Sequence, residues 1–315
     1  MSHLLIIDGH AVAHRAYHSI PEMTNNGQPV NAIYGFFSIL LNSLDILNPD
    51  YLCVCLDLPG PTFRNVEFMG YRAKRAPTDH NLVSQLRILP ETLSNANIPT
   101  FSMSGYEADD LIGTLSQKVF KIIGKNSQKN IIDKITIITG DKDLMQLVNK
   151  KVSLFMPIHG LSESKLYGIN EVKERLGVLP TQVIDLKALM GDSSDNYPGV
   201  AGVGPVVAVN LLIEHHNLDN IYKNINQIKP AVSQKLIKDK ENAYMSQKLA
   251  TIICNIPLKL KLKPLKFNQK NIDSLSQIFT QYNFKSLSSR LHRQYPQEES
   301  QVTKNKINSN QTSLF

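Results

Sequence analysis

Nine acidic side chains recur at short intervals through the first two thirds of this 315-residue chain: Asp8, Asp57, Glu107, Asp109, Asp110, Asp141, Asp143, Asp192 and Asp195. Each follows an apolar run or sits in a turn. If a fold gathers them they cannot all stay ionised alone, because two carboxylates about 4 Å apart repel by roughly 4 kcal/mol at an effective dielectric near 20. Divalent cations are the expected remedy. Hard oxygen donors select magnesium, with manganese as a substitute, and a pair of such ions is the usual apparatus for hydrolysing phosphodiesters. Taken singly, these residues also suit structural roles. Asp8 can cap a helix, Asp57 can close a turn ahead of Pro59-Gly60, and Glu107, Asp109 and Asp110 complement the dipole of the helix they open. Glu107 and Asp110 share a face of that helix while Asp109 points elsewhere, so only part of the triplet is expected on one ion. Asp141 and Asp143 flank Lys142 beyond an apolar run, which aims both into a shared space, whereas Asp192 and Asp195 also fit an Asx-rich turn.

The elements that must position these groups are legible as short apolar runs at 4–7, 52–56 and 135–138, which read as buried parallel strands. Helical periodicity lies between them, over 32–47 and 108–123, the second with Ala108, Leu111, Ile112, Leu115 and Val119 on one face. Alternating strand and helix predicts an α/β core with its active groups at the carboxyl ends of the strands. After about Gly168 helical patterns take over, punctuated by Gly177, Gly191, Gly199, Gly202 and Gly204, and from about Arg293 the chain turns polar, which predicts a flexible tail. A hydrophobic fraction of 42% allows a sizeable core, and the net charge of +7 is compatible with a polyanionic partner without requiring one. Cys53, Cys55 and Cys254 make neither a disulfide framework nor a CxxC zinc site, which fits a reducing cytoplasm. The run 4–7 is cut by Asp8 and lacks a basic leader, so no signal peptide is expected, and no stretch approaches the ~20 apolar residues that span a bilayer.

Five blocks in order carry a resemblance. Ile6-Ile7-Asp8-Gly9 with Arg15-Ala16, Asn31-Ala32-Ile33-Tyr34-Gly35-Phe36, Gly105-Tyr106-Glu107-Ala108-Asp109-Asp110, Thr139-Gly140-Asp141-Lys142-Asp143-Leu144, and Gly191-Asp192-Ser193-Ser194-Asp195-Asn196-Tyr197-Pro198-Gly199 resemble the bacterial 5′-nuclease family, comprising flap endonucleases and the 5′→3′ exonuclease domain of DNA polymerase I. The resemblance implies a mixed, largely parallel central sheet flanked by helices, with a helical clamp and a helix-hairpin-helix-type C-terminal domain. The implied organisation is a nuclease core over 1–175 with a basic clamp at about 62–95, a duplex-binding helical domain over 176–292, and a tail over 293–315. It implies two Mg²⁺ ions, one among Asp8, Asp57, Glu107 and Asp109, the other with Asp110, Asp141, Asp143, Asp192 and Asp195 around or behind it. Catalysis would fall to Asp8, Asp57, Glu107, Asp109 and Asp141 with Arg72 and Arg75, and the product would carry a 5′-phosphate.

Phe63-Arg64 and Tyr71-Arg72-Ala73-Lys74-Arg75 form a basic cluster whose plain reading is a solvated loop. The resemblance makes it a clamp through which a single-stranded 5′ end passes, with Arg15, Arg64, Tyr71, Arg72, Lys74 and Arg75 on nucleic acid. The family usually has a lysine where Arg72 stands; arginine keeps the charge and forks onto phosphate, but cannot supply a neutral amine. Gly199, Gly202 and Gly204 resemble a hairpin whose backbone approaches duplex phosphate. Val206 and Val207 replace the usual lysine and hydroxyl residue after it, which predicts a weaker duplex grip. His10, His14 and His18 recur on the first helix, where contacts behind the carboxylates or to substrate are a better reading than a zinc stripe. Gln311, Leu314 and Phe315, at the end of the polar tail, resemble a sliding-clamp docking peptide.

The expected protein is a monomeric, cytoplasmic, structure-specific 5′→3′ exonuclease and 5′-flap endonuclease acting on branched DNA and RNA-DNA primers in replication and repair, separate from any polymerase and without membrane contact. A non-catalytic nucleic-acid scaffold and a ribonuclease on a related core are the rivals.

Overall fold

Every residue of the first strand after its start is buried, and its alternation decides the layering. In the computed structural model, which describes residues 2–122, 132–159 and 163–296, β1 (Ser2–Asp8) sends Leu4 and Ile6 into one apolar cluster and Leu5 and Ile7 into another. A period of two does this in any strand covered on both faces. The chain continues through α1 (Gly9–Ser19), a small hairpin of β2 (Thr24–Asn25) and β3 (Gln28–Pro29), α2 (Asn31–Leu47), β4 (Tyr51–Cys55), α3 (Phe63–Glu67) and α4 (His80–Asn95). It then forms β5 (Thr100–Phe101), α5 (Ala108–Ile122), β6 (Ile132–Ile138), β7 (Val152–His159) and β8 (Glu163–Tyr167).

These strands form a sheet of order β5-β4-β1-β6-β7-β8. β1 pairs in parallel with both β4 and β6, β5 and β7 extend the parallel run, and β8 returns antiparallel to β7. The sheet is thus mixed and largely parallel, as expected. With β4 on one side of β1 and β6 on the other, the strand order reverses at β1, and a crevice opens where the chain leaves these three carboxyl ends.

On one face, α5 lays Leu111, Ile112, Leu115 and Val119 against Leu4, Ile6, Cys53 and Cys55. The same cluster takes in α6 (Ile169–Leu176), α7 (Val183–Met190), α8 (Pro205–His215), α9 (Leu218–Lys223), α10 (Pro230–Lys238) and α11 (Lys240–Ala250). The other face is covered by α1, α2 and α4 together with α12 (Gln269–Gln281) and α13 (Lys285–Gln294). There Phe37 and Phe279 meet edge to face at 5.5 Å. The last two helices thus pack on the side of the sheet opposite the other C-terminal helices.

Residues 68–79, between α3 and α4, contain no helix. The helical clamp expected here is a short helix, an irregular crossing and a long helix. Gln311, Leu314 and Phe315 lie outside the described residues, and among the described residues no helix is long and apolar enough to cross a membrane.

Candidate active site

Three parallel strands deliver three carboxylates to one edge. Asp8 ends β1, Asp57 follows β4 by two residues, and Asp141 follows β6 by three. Capping and clustering prove compatible. One oxygen of Asp8 accepts the Ala11 N–H (3.1 Å) at the start of α1, while the other accepts the buried Thr139 hydroxyl (2.8 Å). Asp57 accepts the Ala108 N–H (2.8 Å), holding the start of α5, and its own N–H donates to His10 Nδ1 (3.2 Å). Asp141 turns back onto the Asp143 N–H (2.8 Å) and donates its own N–H to Thr139. Caps at helix starts bring the α1 and α5 N-termini, with their partial positive charge, to the same crevice.

The crevice has two lobes. The smaller, about 220 Å³, is lined by Asp8, His10, His14, Asp57, Arg72, Glu107, Asp109 and Asp141. The larger, about 510 Å³, holds Arg15, Lys142, Asp143, Lys187, Asp192 and Asp195, and shares Ala11, Arg75 and Asp141 with the first. Asp141 therefore stands in the wall common to both.

Electrostatics separate the lobes. In the small one Asp8 is pushed up to about 7 by burial and by Asp57, and Asp109 is pushed well above the carboxylate range by burial, Asp141 and Asp8. Burial also raises Glu107, against the pull of Arg64 and Arg72. In the large lobe burial and Asp141 raise Asp143 to about 6 despite Lys187. Asp192, although burial opposes it, is held at about 2 by Lys187 and the Ser194 hydroxyl and N–H. The Lys187 ammonium bridges Asp143 (2.6 Å) and Asp192, and these charges hold its pKa above the usual lysine range against burial. Among the described residues no three carboxylate, imidazole or thiol groups close on one point as a finished metal shell would. Mutual repulsion in one lobe and the lysine bridge in the other act against such closure.

Several expected site residues are placed elsewhere. Asp110 lines neither lobe. It is fully buried, forms a two-pronged ion pair with Arg64 (2.8 and 2.9 Å), and accepts the Glu107 and Ile253 N–H groups. The helix geometry explains the split: Asp109 and Asp110 are about 100° apart, so only one of them faces the crevice. Arg64, expected on nucleic acid, is 3% exposed and spends its remaining donors on the Leu249 and Thr251 carbonyls. Tyr71, expected to meet nucleic acid, is 4% exposed, and its hydroxyl donates toward Glu107 (3.2 Å) and Asp195 (3.0 Å). Arg64 fastens α3, and Tyr71 the crossing segment, to the body of the protein.

Arg72 and Arg75 reach the crevice. Arg72 pairs with Glu107 (3.0 Å) and Asp195 (3.3 Å), and Arg75 with Asp195 (2.6 Å). Arg72 adopts φ 57°, a left-handed conformation uncommon for a residue with a side chain, and its N–H is held by the Asp195 carbonyl at 2.8 Å. Lys74 is exposed. Arg15 anchors to the Ile158 carbonyl (2.7 Å) at the rim of the large lobe. His10 and His14 stand in the small lobe, where burial lowers both.

In the glycine segment, Gly199 packs backbone to backbone on Gly191, and a Cβ there would meet Gly191 N at 2.2 Å. It is therefore a close-approach position that shapes the acidic turn. Gly202 (φ 75°) and Gly204 are exposed ahead of α8, beside Val206, which is 75% exposed. Lys235 of α10 donates to the Gly202 carbonyl (3.1 Å), which brings an ammonium to the hairpin from a different helix.

Sequence reasoning missed Thr139, Lys187 and Lys235. Lys187 carries a detectable signal, since it is a single cation in the otherwise largely apolar run 183–190, five residues ahead of Asp192.

Comparison with known proteins assigns the chain to a family. Residues 3–177 match the model of the 5′-3′ exonuclease N-terminal resolvase-like domain, and residues 178–273 that of the 5′-3′ exonuclease C-terminal SAM fold. DNA polymerase I of Caldicellulosiruptor bescii is 41% identical over 291 residues, covering 91% of this chain and 33% of that protein. DNA polymerase I of Bacillus subtilis is 33% identical over 307 residues, covering 97% and 34%. The chain thus spans about a third of these relatives. Among solved structures, the T5 D15 protein co-crystallised with metal ions shares the fold at TM-score 0.62 and 21% identity, covering 93% of this chain and 99% of that one. The catalytic core of Rad2 in complex with DNA substrate does so at TM-score 0.59 and 17% identity, covering 93% and 92%. Two adjoining family models together span residues 3–273, and the chain belongs to the 5′-3′ exonuclease family.

Proposed function

We propose that this chain is a divalent-metal-dependent 5′-nuclease that removes 5′ flaps and RNA primers from branched DNA in replication and repair. The observation that carries the reading is the two-lobed acidic crevice with Asp141 in the shared wall, at the carboxyl ends of parallel strands. The donor set fits hard cations. Buried carboxylates that repel one another and bind protons too readily gain most from a divalent ion, and all are oxygen donors of the kind magnesium and manganese take.

In this reading Asp8, Asp57, Glu107, Asp109 and Asp141 hold one ion, and Asp141, Asp143, Asp192 and Asp195 hold the other. When bound, such a pair activates water for attack and neutralises charge on the phosphate and leaving oxygen. The chain's own residues do the rest. Thr139 and the Ala11 N–H fix Asp8, so its free lone pairs face the crevice. Arg72 and Arg75, aimed across it from the crossing segment, exchange their carboxylate partners for the phosphate of a 5′ strand, and their fork geometry orients it. His10 and His14, disfavoured as cations by burial, leave the crevice charge to the acids and arginines. Gly202, Gly204 and Lys235 contact duplex backbone away from the cut, which selects structure over sequence. Gln311, Leu314 and Phe315 serve as a sliding-clamp docking peptide, and the enzyme works as a monomer.

Support comes also from the relatives, which are DNA polymerase I proteins, and from the fold neighbours, the T5 D15 protein having been co-crystallised with metal ions and the Rad2 core with DNA substrate. The test is cleavage of a 5′-flap oligonucleotide. Activity requiring Mg²⁺, lost with EDTA and in Asp141→Ala, is expected. Binding without cleavage would favour the scaffold reading, and preferential cutting of single-stranded RNA would favour the ribonuclease.

A further inference from the structure

Lys187 lies in α7, five residues before Asp192 in sequence and 44 after Asp143, yet its ammonium bonds to both. It lies 2.6 Å from Asp143 Oδ1 and in hydrogen-bond contact with Asp192 Oδ2. The side chain is 25% exposed, and its partners are 18% and 10% exposed. Asp143 belongs to the turn after β6, and Asp192 follows the end of α7 by two residues, so the lysine, itself in α7, fastens the strand edge to the helical side of the crevice. The other oxygen of Asp192 is occupied by the Ser194 N–H (2.7 Å) and hydroxyl (2.6 Å), which leaves Oδ2 as the group that faces Asp143. The oxygens through which these two carboxylates would grip a cation are therefore the ones that grip the ammonium.

We propose that Lys187 is a tethered place-holder cation: it keeps the large lobe assembled in the metal-free protein and withdraws when a divalent ion takes Asp143 and Asp192. The inference rests on the metal-dependent nuclease reading and deepens it. Two positive charges cannot share one pair of carboxylates at contact distance without a repulsion comparable to the attraction each gains. Ion entry into the large lobe is thus an exchange at both carboxylates, whereas of the small-lobe acids Arg64 and Arg72 pair with Glu107 alone, and no lysine bridges Asp8, Asp109 and Asp141 among the described residues. The small lobe consequently fills first, and the large lobe binds its ion more weakly until Lys187 moves.

The test is Mn²⁺ binding to the DNA-free full chain, with bound ions counted by electron paramagnetic resonance and affinities taken from calorimetry. The proteins are wild type, Lys187→Met, Lys187→Gln and Lys187→Arg. Wild type should show one tighter and one weaker class of site. Removing one contact charge at a partly screened position should tighten the weaker class at least about tenfold in Lys187→Met. The tighter class should stay unchanged, and Lys187→Arg should behave as wild type. Thermal stability gives a second readout: the neutral variants should melt lower than wild type without Mn²⁺ and regain most of the difference with it. Lys187→Gln, which keeps a donor without the charge, serves if Lys187→Met folds poorly. An unchanged or weakened second class in both neutral variants, with two classes present in wild type, would overturn the place-holder role alone. Absence of Mn²⁺ binding to wild type would overturn the metal reading and this inference with it.

Discussion

Asp8 and Asp192 are the same residue type in adjoining lobes of one crevice, yet surroundings push the first up to about 7 and hold the second at about 2. Asp8 is buried beside other acids and receives only an N–H and a hydroxyl. Asp192 is clasped by an ammonium and two donors of Ser194. Asp195 is likewise clasped by Arg72 and Arg75, and Asp110, behind the crevice, by Arg64. The contrast teaches that an acidic cluster is not one object. The groups left without an internal cation hold charge open for a ligand, and the others have folding duties that compete with ligand binding.

That difference can be broken most severely at its shared wall. Asp141→Asn should lower single-turnover cleavage of a 5′-flap by at least about 10³-fold, the scale on which removal of electrostatic stabilisation at a reacting centre acts, with little change in melting temperature. Asp110→Asn should do the reverse. Breaking a buried pair leaves Arg64 uncompensated and costs about 3–5 kcal/mol in chemical denaturation. Activity per folded molecule, measured where the variant remains folded, should fall far less than in Asp141→Asn.

The pH dependence of stability should carry the same contrast with opposite signs. A raised Asp8 binds more protons folded than unfolded, so its contribution is complete below about 4 and is lost as pH rises through about 7. The loss is on the order of 4 kcal/mol in the metal-free protein, and Mg²⁺ should recover it. A depressed Asp192 contributes above its ordinary range, near 4, and loses that contribution as pH falls through about 2. Urea denaturation at stepped pH with EDTA or Mg²⁺ separates the two. The smallest effect belongs to the hairpin. Lys235→Ala should make the dependence of log K on log salt shallower by about 0.9 for duplex binding, and Val206→Lys should steepen it by the same amount.

The sheet and the three strand-end acids were legible because they depend on local pattern: apolar runs broken by an acid predict a strand and the edge where it stops. Periodicity also separated Asp109 from Asp110. It could not tell which of them faced the crevice, since that depends on Arg64, Leu249 and Ile253. Arg64 and Tyr71 looked like exposed nucleic-acid contacts because basic and aromatic residues in a loop usually are. Their partners lie 185 and 124 residues away in sequence, respectively, in the carbonyl of Leu249 and the carboxylate of Asp195. Lys187 was overlooked because one lysine on an apolar helix reads as a side chain reaching for solvent, and only tertiary packing turns it onto two aspartates.

The central claim is that the two lobes of the crevice work together as a divalent-ion site hinged on Asp141. The most direct measurement is single-turnover cleavage of a labelled 5′-flap across a Mg²⁺ titration, for wild type and Asp141→Asn. The account predicts a rate that rises with Mg²⁺ and vanishes in EDTA for wild type, and a variant that stays near background at every concentration. Cleavage that persists in EDTA, or a variant that reaches the wild-type rate, would contradict it.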